Sequence, residues 1–143
     1  MWLIDANILI YGFRPSAPQH AQAKAWLENL LVGDDSFAIP DIVWVGFVRL
    51  VTNRRTFPDP SSPQEAWAFA EPFTRAPGFL PQLDARQARS RWIDFCRDRQ
   101  LTGDQIVDAW LAALALEHGL TVVTHDKDFR YFPSLKVLDP LIR

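Results

Sequence analysis

Short apolar runs alternate with longer segments of helical periodicity along this chain. The runs are typical of strands buried in a parallel sheet, and they fall at residues 2–4, 37–39, 120–124 and 135–138. Between them, apolar side chains recur every three or four residues, which predicts helices over 16–33 and 102–119 and helices beginning near 62 and 84. Alternating strands and helices predict an α/β fold with right-handed crossovers.

Two segments leave a choice open. Residues 41–53 are long enough for a helix and sufficiently β-branched for a strand, and Pro40 just before them favours a helix. Residues 78–83 can hold a short strand. Helix starts are also indicated by a Ser, Thr or Asp three residues before a Gln or Glu, as in Ser16 with Gln19, Ser62 with Glu65, Asp84 with Gln87, and Thr102 with Gln105.

The composition is that of one globular domain, which we expect to span 1–143. Its length suits a single core, and 48% hydrophobic against 22% charged residues argues against disorder. A net charge of −2 argues against a broad basic surface for nucleic acid. The only cysteine, Cys96, cannot form an internal disulfide and is predicted to be a buried structural thiol.

Several classes of protein are disfavoured by missing motifs. The sequence has no phosphate-binding glycine loop and no GxSxG, and its three histidines lack metal-ligand spacing. It has no run of 18 apolar residues, and an acid at Asp5 where a leader would be positively charged, so we expect a cytoplasmic protein without membrane contact.

The candidate chemistry lies in aspartates at the polar edges of apolar segments, namely Asp5, Asp104, Asp108 and Asp126. Asp5 and Asp126 follow predicted strands, whose carboxyl ends form the usual ligand-binding edge of a parallel sheet. Asp104 and Asp108 are one helical turn apart and share a face. Carboxylates without cysteine or histidine clusters suit Mg²⁺ or Mn²⁺, and attack of a metal-activated water on a phosphodiester is the expected chemistry.

These candidates also have structural interpretations. Asp126 can be a turn residue, and Asp104 can be an acid stabilised by the helix dipole. Asp108 fits such an explanation less well, because it interrupts an otherwise apolar helix. A compact basic group is either a solvated face or a contact for RNA phosphates, and it consists of Arg49, Arg54 and Arg55.

Three segments resemble the PIN-domain ribonucleases, and among them the VapC toxins of bacterial toxin–antitoxin pairs. They are LIDANILIY at 3–11, FVRLVTNRRTFPDP at 47–60 and DAWLAALALEHGLTVVTHDKDFRYFP at 108–133. The resemblance covers almost the whole chain and implies a three-layer sandwich with a central, mostly parallel sheet flanked by helices. It also implies that Asp5, Asp108 and Asp126 are the catalytic, metal-binding acids. Asn7 and Asp104 would then be a substrate-binding residue and a further metal ligand.

The activity implied by the resemblance is that of a Mg²⁺- or Mn²⁺-dependent endoribonuclease toxin. A cognate VapB-like antitoxin would silence it, and the toxin would form a homodimer. One position departs from the family, since Gly46 stands where a Glu is usual, and Asp41 is five residues earlier. The alternative is a PIN-fold protein that binds RNA or a partner with weak or no nuclease activity. A receiver-like signalling domain is disfavoured, because the N-terminal half lacks the paired acids that it needs.

Overall fold

The computed structural model describes residues 1–142, and over this range its strands form one parallel sheet. The strands are β1 (Trp2–Ile4), β2 (Phe37–Ala38), β3 (Thr121–Val123) and β4 (Val137–Leu138), in the order β2-β1-β3-β4. Every adjacent pair is parallel, and Leu3 of β1 is in register with Ala38 and with Val122. The predicted α/β fold is confirmed, and the sheet is parallel throughout.

Six α-helices and one 3₁₀ helix flank the sheet within the described range. They are α1 (Ala6–Phe13), α2 (His20–Val32), α3 (Asp41–Val51), α4 (Pro63–Arg75), α5 (Arg86–Asp98), α6 (Gln105–His118) and the 3₁₀ helix (Lys127–Tyr131). The ambiguous segment 41–53 is thus a helix. The possible strand at 78–83 amounts to one parallel bridge between Phe79 and Phe37.

The helix α1 is the element that the sequence pattern does not predict. Its apolar residues follow β1 almost directly, so strand and helix merge into one apolar run. Asp5 separates them, with extended backbone angles of φ −83° and ψ 156°. Its carboxylate accepts a 2.7 Å hydrogen bond from the backbone N–H of Ala6, which caps the helix. A candidate site residue therefore also forms the junction between strand and helix.

Two of the predicted capping pairs form hydrogen bonds between their members. In α4, Ser62 Oγ accepts from the backbone N–H of Glu65, and Glu65 Oε1 accepts from that of Ser62, each at 3.1 Å. At α6 only one half of the pattern forms, because the backbone N–H of Thr102 donates to Gln105 Oε1 at 3.2 Å. These bonds satisfy N–H groups that a helix start otherwise leaves without a partner.

The other two capping predictions are wrong. The helix α2 begins only at His20, and neither Ser16 nor Gln19 forms a side-chain cap, because residues 15–19 form turns that contain two prolines. In α5, Asp84 Oδ1 accepts from the backbone N–H of Arg86 at 2.9 Å, and Gln87 takes no part. The three-residue spacing is therefore too common a pattern to define a helix start alone.

The core lies where the helices pack on the sheet and on one another. Leu3 and Val122, from neighbouring strands, are fully buried. The helix α1 packs closely on α2, since a Cβ atom at Gly12 would come within 2.5 Å of Leu27 Cδ1. It also packs on α3, whereas α5 packs on α6. Glycine at position 12 therefore allows the close contact between α1 and α2.

The structure also bears on the expectations for Cys96 and for membrane contact. Cys96 is free but only partly buried, and it packs against the edge of the core instead of lying within it. In the part of the chain that the structure describes, no helix is both long enough and apolar enough to cross a membrane.

Candidate active site

The predicted site lies at a switch in strand order. The chain leaves β1 toward β2 on one side and leaves β3 toward β4 on the other, so a crevice opens between the carboxyl ends of β1 and β3. Ligands of parallel α/β proteins bind in such crevices. Asp5 follows β1 directly, and its backbone N–H donates to the carbonyl of Val123 at the end of β3. Asp126 follows β3 after two residues, so both acids lie at the predicted edge.

A hydrogen-bond network fixes Asp5 across the two strand ends. Thr124, which is only 1% exposed, donates its hydroxyl proton to Asp5 Oδ2 at 2.8 Å. Asn7 Nδ2 donates to the same oxygen at 3.2 Å and to Thr124 Oγ1 at 3.0 Å. Asn7 Oδ1 accepts from the backbone N–H of His125, and Thr124 Oγ1 accepts from that of Asp126. The orientation of the Asp5 carboxylate is therefore fixed before any ligand binds.

This network changes the role that the sequence suggests for Asn7. Both polar atoms of its amide are engaged with site residues, so its visible role in the described structure is to position Asp5 and the segment after β3. Thr124 has the same role and does not stand out in the sequence, because a threonine at the end of a buried strand is ordinary.

The helix α6 brings Asp108 to the same group of acids. Burial, and after it the charges of Asp5, Asp126, Asp128 and Asp104, together raise the pKa of the Asp108 carboxyl to about 7. Burial also raises the pKa of Asp5, although the hydrogen bonds from Thr124 and Ala6 oppose that rise. Mutual repulsion of this kind requires that the carboxylates lie near one another. Three acids distant in sequence are thus neighbours in the fold.

The donor chemistry of the site fits a divalent cation. Its side chains offer carboxylate oxygens, which hard cations prefer, and their mutual repulsion is relieved by positive charge. Between residues 1 and 142, however, no three acidic, histidine or cysteine side chains are grouped so that they could hold one ion as they lie. Binding of one ion by three of these acids would therefore require other side-chain rotamers.

The positions of Asp104 and Gly46 determine how many carboxylates are available to a cation at this site. Asp104 is exposed at the start of α6, where its side chain forms no capping hydrogen bond. It is therefore not needed as a hydrogen-bonding cap, although the helix dipole still favours an acid there. Gly46 lies within α3, and a Cβ atom at this position would meet no other atom within 4 Å. Asp41, which is exposed at the first position of α3, lines a separate cavity with Trp110.

The three arginines proposed to contact RNA lie away from the strand ends. Arg49 is in the last turn of α3, and Arg54 and Arg55 are exposed in the loop that follows. That loop is fastened to the end of α1, since Arg14 Nη2 donates to Asp59 Oδ1 at 2.7 Å. The eight residues of α1 separate the two ends of that helix by roughly 12 Å. Phosphate contacts by these arginines stay a prediction, and they would fall at a distance from the carboxylates.

Two further groups near the site were not singled out from the sequence. Asp128 contributes to the raised pKa of Asp108, and its backbone N–H donates to Asp126 Oδ1 at 2.9 Å. His125 Nδ1 lies 2.8 Å from Asp139 Oδ2, which ties the segment after β3 to that after β4. The sequence feature that could have indicated Asp128 is its spacing of two residues from Asp126, because acids two residues apart in a turn can face the same ligand.

Comparison with known proteins agrees with this geometry. The PIN-domain family model matches residues 2–135. Ribonuclease VapC31 from Mycobacterium tuberculosis is 40% identical over 140 residues, which cover 98% of this chain and 99% of the relative. Ribonuclease VapC25 from the same species is 39% identical over 142 residues, covering 99% and 100%. The chain belongs to the PIN-domain family, among its VapC-type members.

Solved structures show the same fold. VapBC2 from Rickettsia felis, bound to a DNA fragment from the promoter, matches with a TM-score of 0.69 at 16% identity over 96% of both chains. A toxin–antitoxin complex from Klebsiella pneumoniae matches with a TM-score of 0.62 at 23% identity over 98% of both chains. The expected PIN-like arrangement of a parallel sheet flanked by helices is therefore confirmed.

Proposed function

We propose that this protein is a Mg²⁺- or Mn²⁺-dependent endoribonuclease that acts as the toxin of a toxin–antitoxin pair. The observation that carries the proposal is that Asp5, Asp108 and Asp126 lie near one another at the crevice between β1 and β3, where burial and then the charges of the neighbouring acids raise the pKa of Asp108 to about 7. Such a cluster destabilises the fold unless a ligand of opposite charge compensates it. Relatives named as ribonucleases match over the whole chain, which supports RNA as the substrate.

The residues have distinct roles in this proposal. Asp5, Asp108 and Asp126 would hold the cation, with Asp104 as an additional ligand, while Asn7 and Thr124 orient Asp5. A bound divalent cation would supply Lewis acidity toward the phosphate and lower the pKa of a nearby water molecule. Hydrolysis with departure of the 3′-oxygen leaves a 5′-phosphate on the downstream product. Arg49, Arg54 and Arg55 would hold the RNA backbone farther from the cut.

The partner in this proposal is a small VapB-like antitoxin. The Klebsiella and Rickettsia structures that share this fold are toxin–antitoxin assemblies, which supports such a partner here. An arginine of the antitoxin could form ion pairs with the clustered carboxylates and so exclude RNA. We place the active protein in the cytoplasm as a homodimer, as the family resemblance implies.

The second candidate function is RNA or partner binding without efficient cleavage. The observation in its favour is Gly46, which supplies no carboxylate where the family usually has a Glu, and leaves open space around its Cα atom. A site with one charge fewer attracts a divalent cation less strongly.

Controlled expression followed by sequencing of 5′-phosphate RNA ends separates these functions. The proposed nuclease yields new 5′-phosphate ends, and Asp5→Asn abolishes them while the protein stays folded. If the wild-type protein yields no such ends at any Mn²⁺ concentration tested in vitro, the binding function is favoured. Coexpression of the small protein encoded next to it should restore growth and give a complex that copurifies.

A further inference from the structure

A second recess lies beside the carboxylates. It is a cavity of about 330 Å³ between the end of α5, the start of α6 and the 3₁₀ helix, and Asp108 forms part of its wall. The rest of the wall consists of Arg99, Leu101, Gln105, Asp128, Tyr131 and Phe132. None of these six residues was assigned a role in catalysis or substrate binding from the sequence, and the cavity adjoins the proposed cleavage centre through Asp108.

The aromatic part of this wall combines a fixed ring with an exposed one. Phe132 is 7% exposed, and its ring centroid lies 5.1 Å from that of Phe95 and 6.1 Å from that of Phe129. The neighbouring Tyr131 is 72% exposed, the largest exposure of any aromatic residue in the part of the chain that the structure describes. An exposed aromatic ring beside a rigid apolar wall is suited to stacking with a flat, unpaired base.

The polar groups of the wall offer both donors and acceptors. The guanidinium carbon of Arg99 lies 5.3 Å from the Phe132 ring centroid, and Arg99 forms no ion pair with any residue from 1 to 142. Gln105 Oε1 already accepts from the backbone N–H of Thr102, so the amide N–H groups of Gln105 are its remaining donors. The carboxylate of Asp128 supplies acceptors.

This combination favours a nucleobase over a phosphate. Asp108 and Asp128 both face the cavity and would repel a phosphate group, whereas base edges carry amino donors that carboxylates accept and carbonyl acceptors that arginine and glutamine bind. Unpaired RNA bases are recognised by stacking on aromatic side chains together with such edge contacts.

We infer that this cavity binds the base of a nucleotide next to the cleaved phosphodiester, and that Tyr131 and Arg99 set the base preference of cleavage. The inference rests on the proposed ribonuclease function. Tyr131 provides a stacking surface, while Arg99, Gln105 and Asp128 distinguish the base edge. The RNA must be single-stranded at this position, because a paired base cannot present its face to a side chain.

Cleavage of a randomised single-stranded RNA pool by the full-length protein tests the inference. Wild-type protein should show a base preference at one position adjacent to the cut, and Tyr131→Ala or Arg99→Ala should abolish it. Loss of one stacking contact should also lower kcat/KM by about 5- to 100-fold. Tyr131→Phe, which keeps the ring, should retain the preference.

Matched controls come from exposed residues elsewhere. Trp67→Ala removes an aromatic side chain that is 51% exposed on α4, and Arg89→Ala removes an exposed arginine from α5. Both should leave the cleavage pattern unchanged. If Tyr131→Ala cleaves with the wild-type base preference, the inference is wrong even though the ribonuclease proposal stands. Loss of antitoxin binding with an unchanged cleavage pattern would instead assign the cavity to a protein partner.

A binding measurement separates this inference from the nuclease activity. In an Asp5→Asn background, single-stranded RNA that contains 2-aminopurine should lose fluorescence on binding, since stacking quenches this base. Adding Tyr131→Ala should abolish the quenching, while adding Trp67→Ala should not. Quenching that survives Tyr131→Ala contradicts the inference. Quenching that depends on Tyr131, together with no RNA cleavage by the wild-type protein, would support the cavity and contradict the proposed function.

Discussion

The two ends of α1 each hold a charged side chain away from water, but in opposite surroundings. At its C-terminal end, Arg14 is 7% exposed and has Asp59, the Ser61 hydroxyl and the Phe57 ring around its guanidinium group. At its N-terminal end, Asp5 lies among other acids, and burial raises its pKa. The arginine is compensated within the chain, and the acid is not. A buried charge that its own chain leaves uncompensated indicates a ligand, whereas a compensated one indicates structure.

The largest effect on RNA cleavage should follow from removing a carboxylate from the group of acids around Asp5. Asp5→Asn and Asp108→Asn should each reduce RNA cleavage by more than about 100-fold, because Lewis-acid stabilisation is worth several kcal/mol. Asp108→Asn should not lower the melting temperature of the metal-free protein, since it removes one repelling charge. Asp5→Asn should lower it modestly, because an amide has one acceptor oxygen where both carboxylate oxygens of Asp5 accept hydrogen bonds. Cleavage assays paired with thermal melting test this, and wild-type cleavage by either variant would contradict the assignment.

Arg14 should show the opposite pattern, with a loss of stability and little change in chemistry. Arg14→Met keeps much of the apolar stem but removes the bonds to Asp59 and Ser61 and the contact with the Phe57 ring. We expect a loss of about 2–3 kcal/mol in the free energy of unfolding, measured in urea. Asp59→Asn should cost about 1 kcal/mol or less, because the Asp59 side chain is 84% exposed and keeps its backbone acceptor. Equal losses in the two variants would show that the ion pair, and not the anchoring of the loop, is the main contribution.

The pH dependence of stability should also differ between the two ends. The pKa of Asp108 is raised to about 7 in the fold from its ordinary value of 3.8, so the native state binds a proton that the unfolded chain releases. The stabilisation from this proton is fully present below about pH 3.8 and is lost as the pH rises through about 7. In chelator, the melting temperature should therefore fall between about pH 4 and 7, and Asp108→Asn should lessen the fall. Saturating Mn²⁺ should reverse it, because the cation binds the deprotonated site.

The sequence indicates the acidic group around Asp5 more clearly than it indicates α1 or the surroundings of Arg14. Asp108 stands out because it interrupts an apolar helix, and Asp5 and Asp126 because they end apolar runs. Helical periodicity and capping patterns also predict α4, α5 and α6, whereas α3 is only favoured as a helix by the proline before it. The sequence could not indicate α1, because its apolar residues resume so soon after Asp5 that they read as one apolar region with β1. Nor could it indicate Arg14 as an anchor, since the partner residues lie more than 40 positions away along the chain.

The smallest predicted effects concern Gly46, which stands where the family usually has a Glu. The position of Gly46 has open space around a built Cβ atom, so Gly46→Glu should be accommodated without a clash at Cβ. If its carboxylate reaches the crevice, it restores a negative charge, and less metal should be needed for half-maximal activity, with a gain of a few-fold. Gly46→Gln is the matched control, because both substitutions stabilise α3 by up to about 1 kcal/mol through helix propensity, and only Glu adds charge.

Asp104 is the acid that could compensate for Gly46 in the present chain. It is exposed one turn before Asp108, forms no capping bond and contributes to the raised pKa of Asp108. If it helps to attract the cation, Asp104→Ala should raise the metal concentration for half-maximal cleavage, and Gly46→Glu should restore it in the double variant. Asp34→Ala, which removes an exposed acid far along the chain, controls for net charge. An unchanged metal requirement in Asp104→Ala would mean that three carboxylates suffice and that Asp104 only complements the helix dipole, as an acid at a helix start ordinarily does.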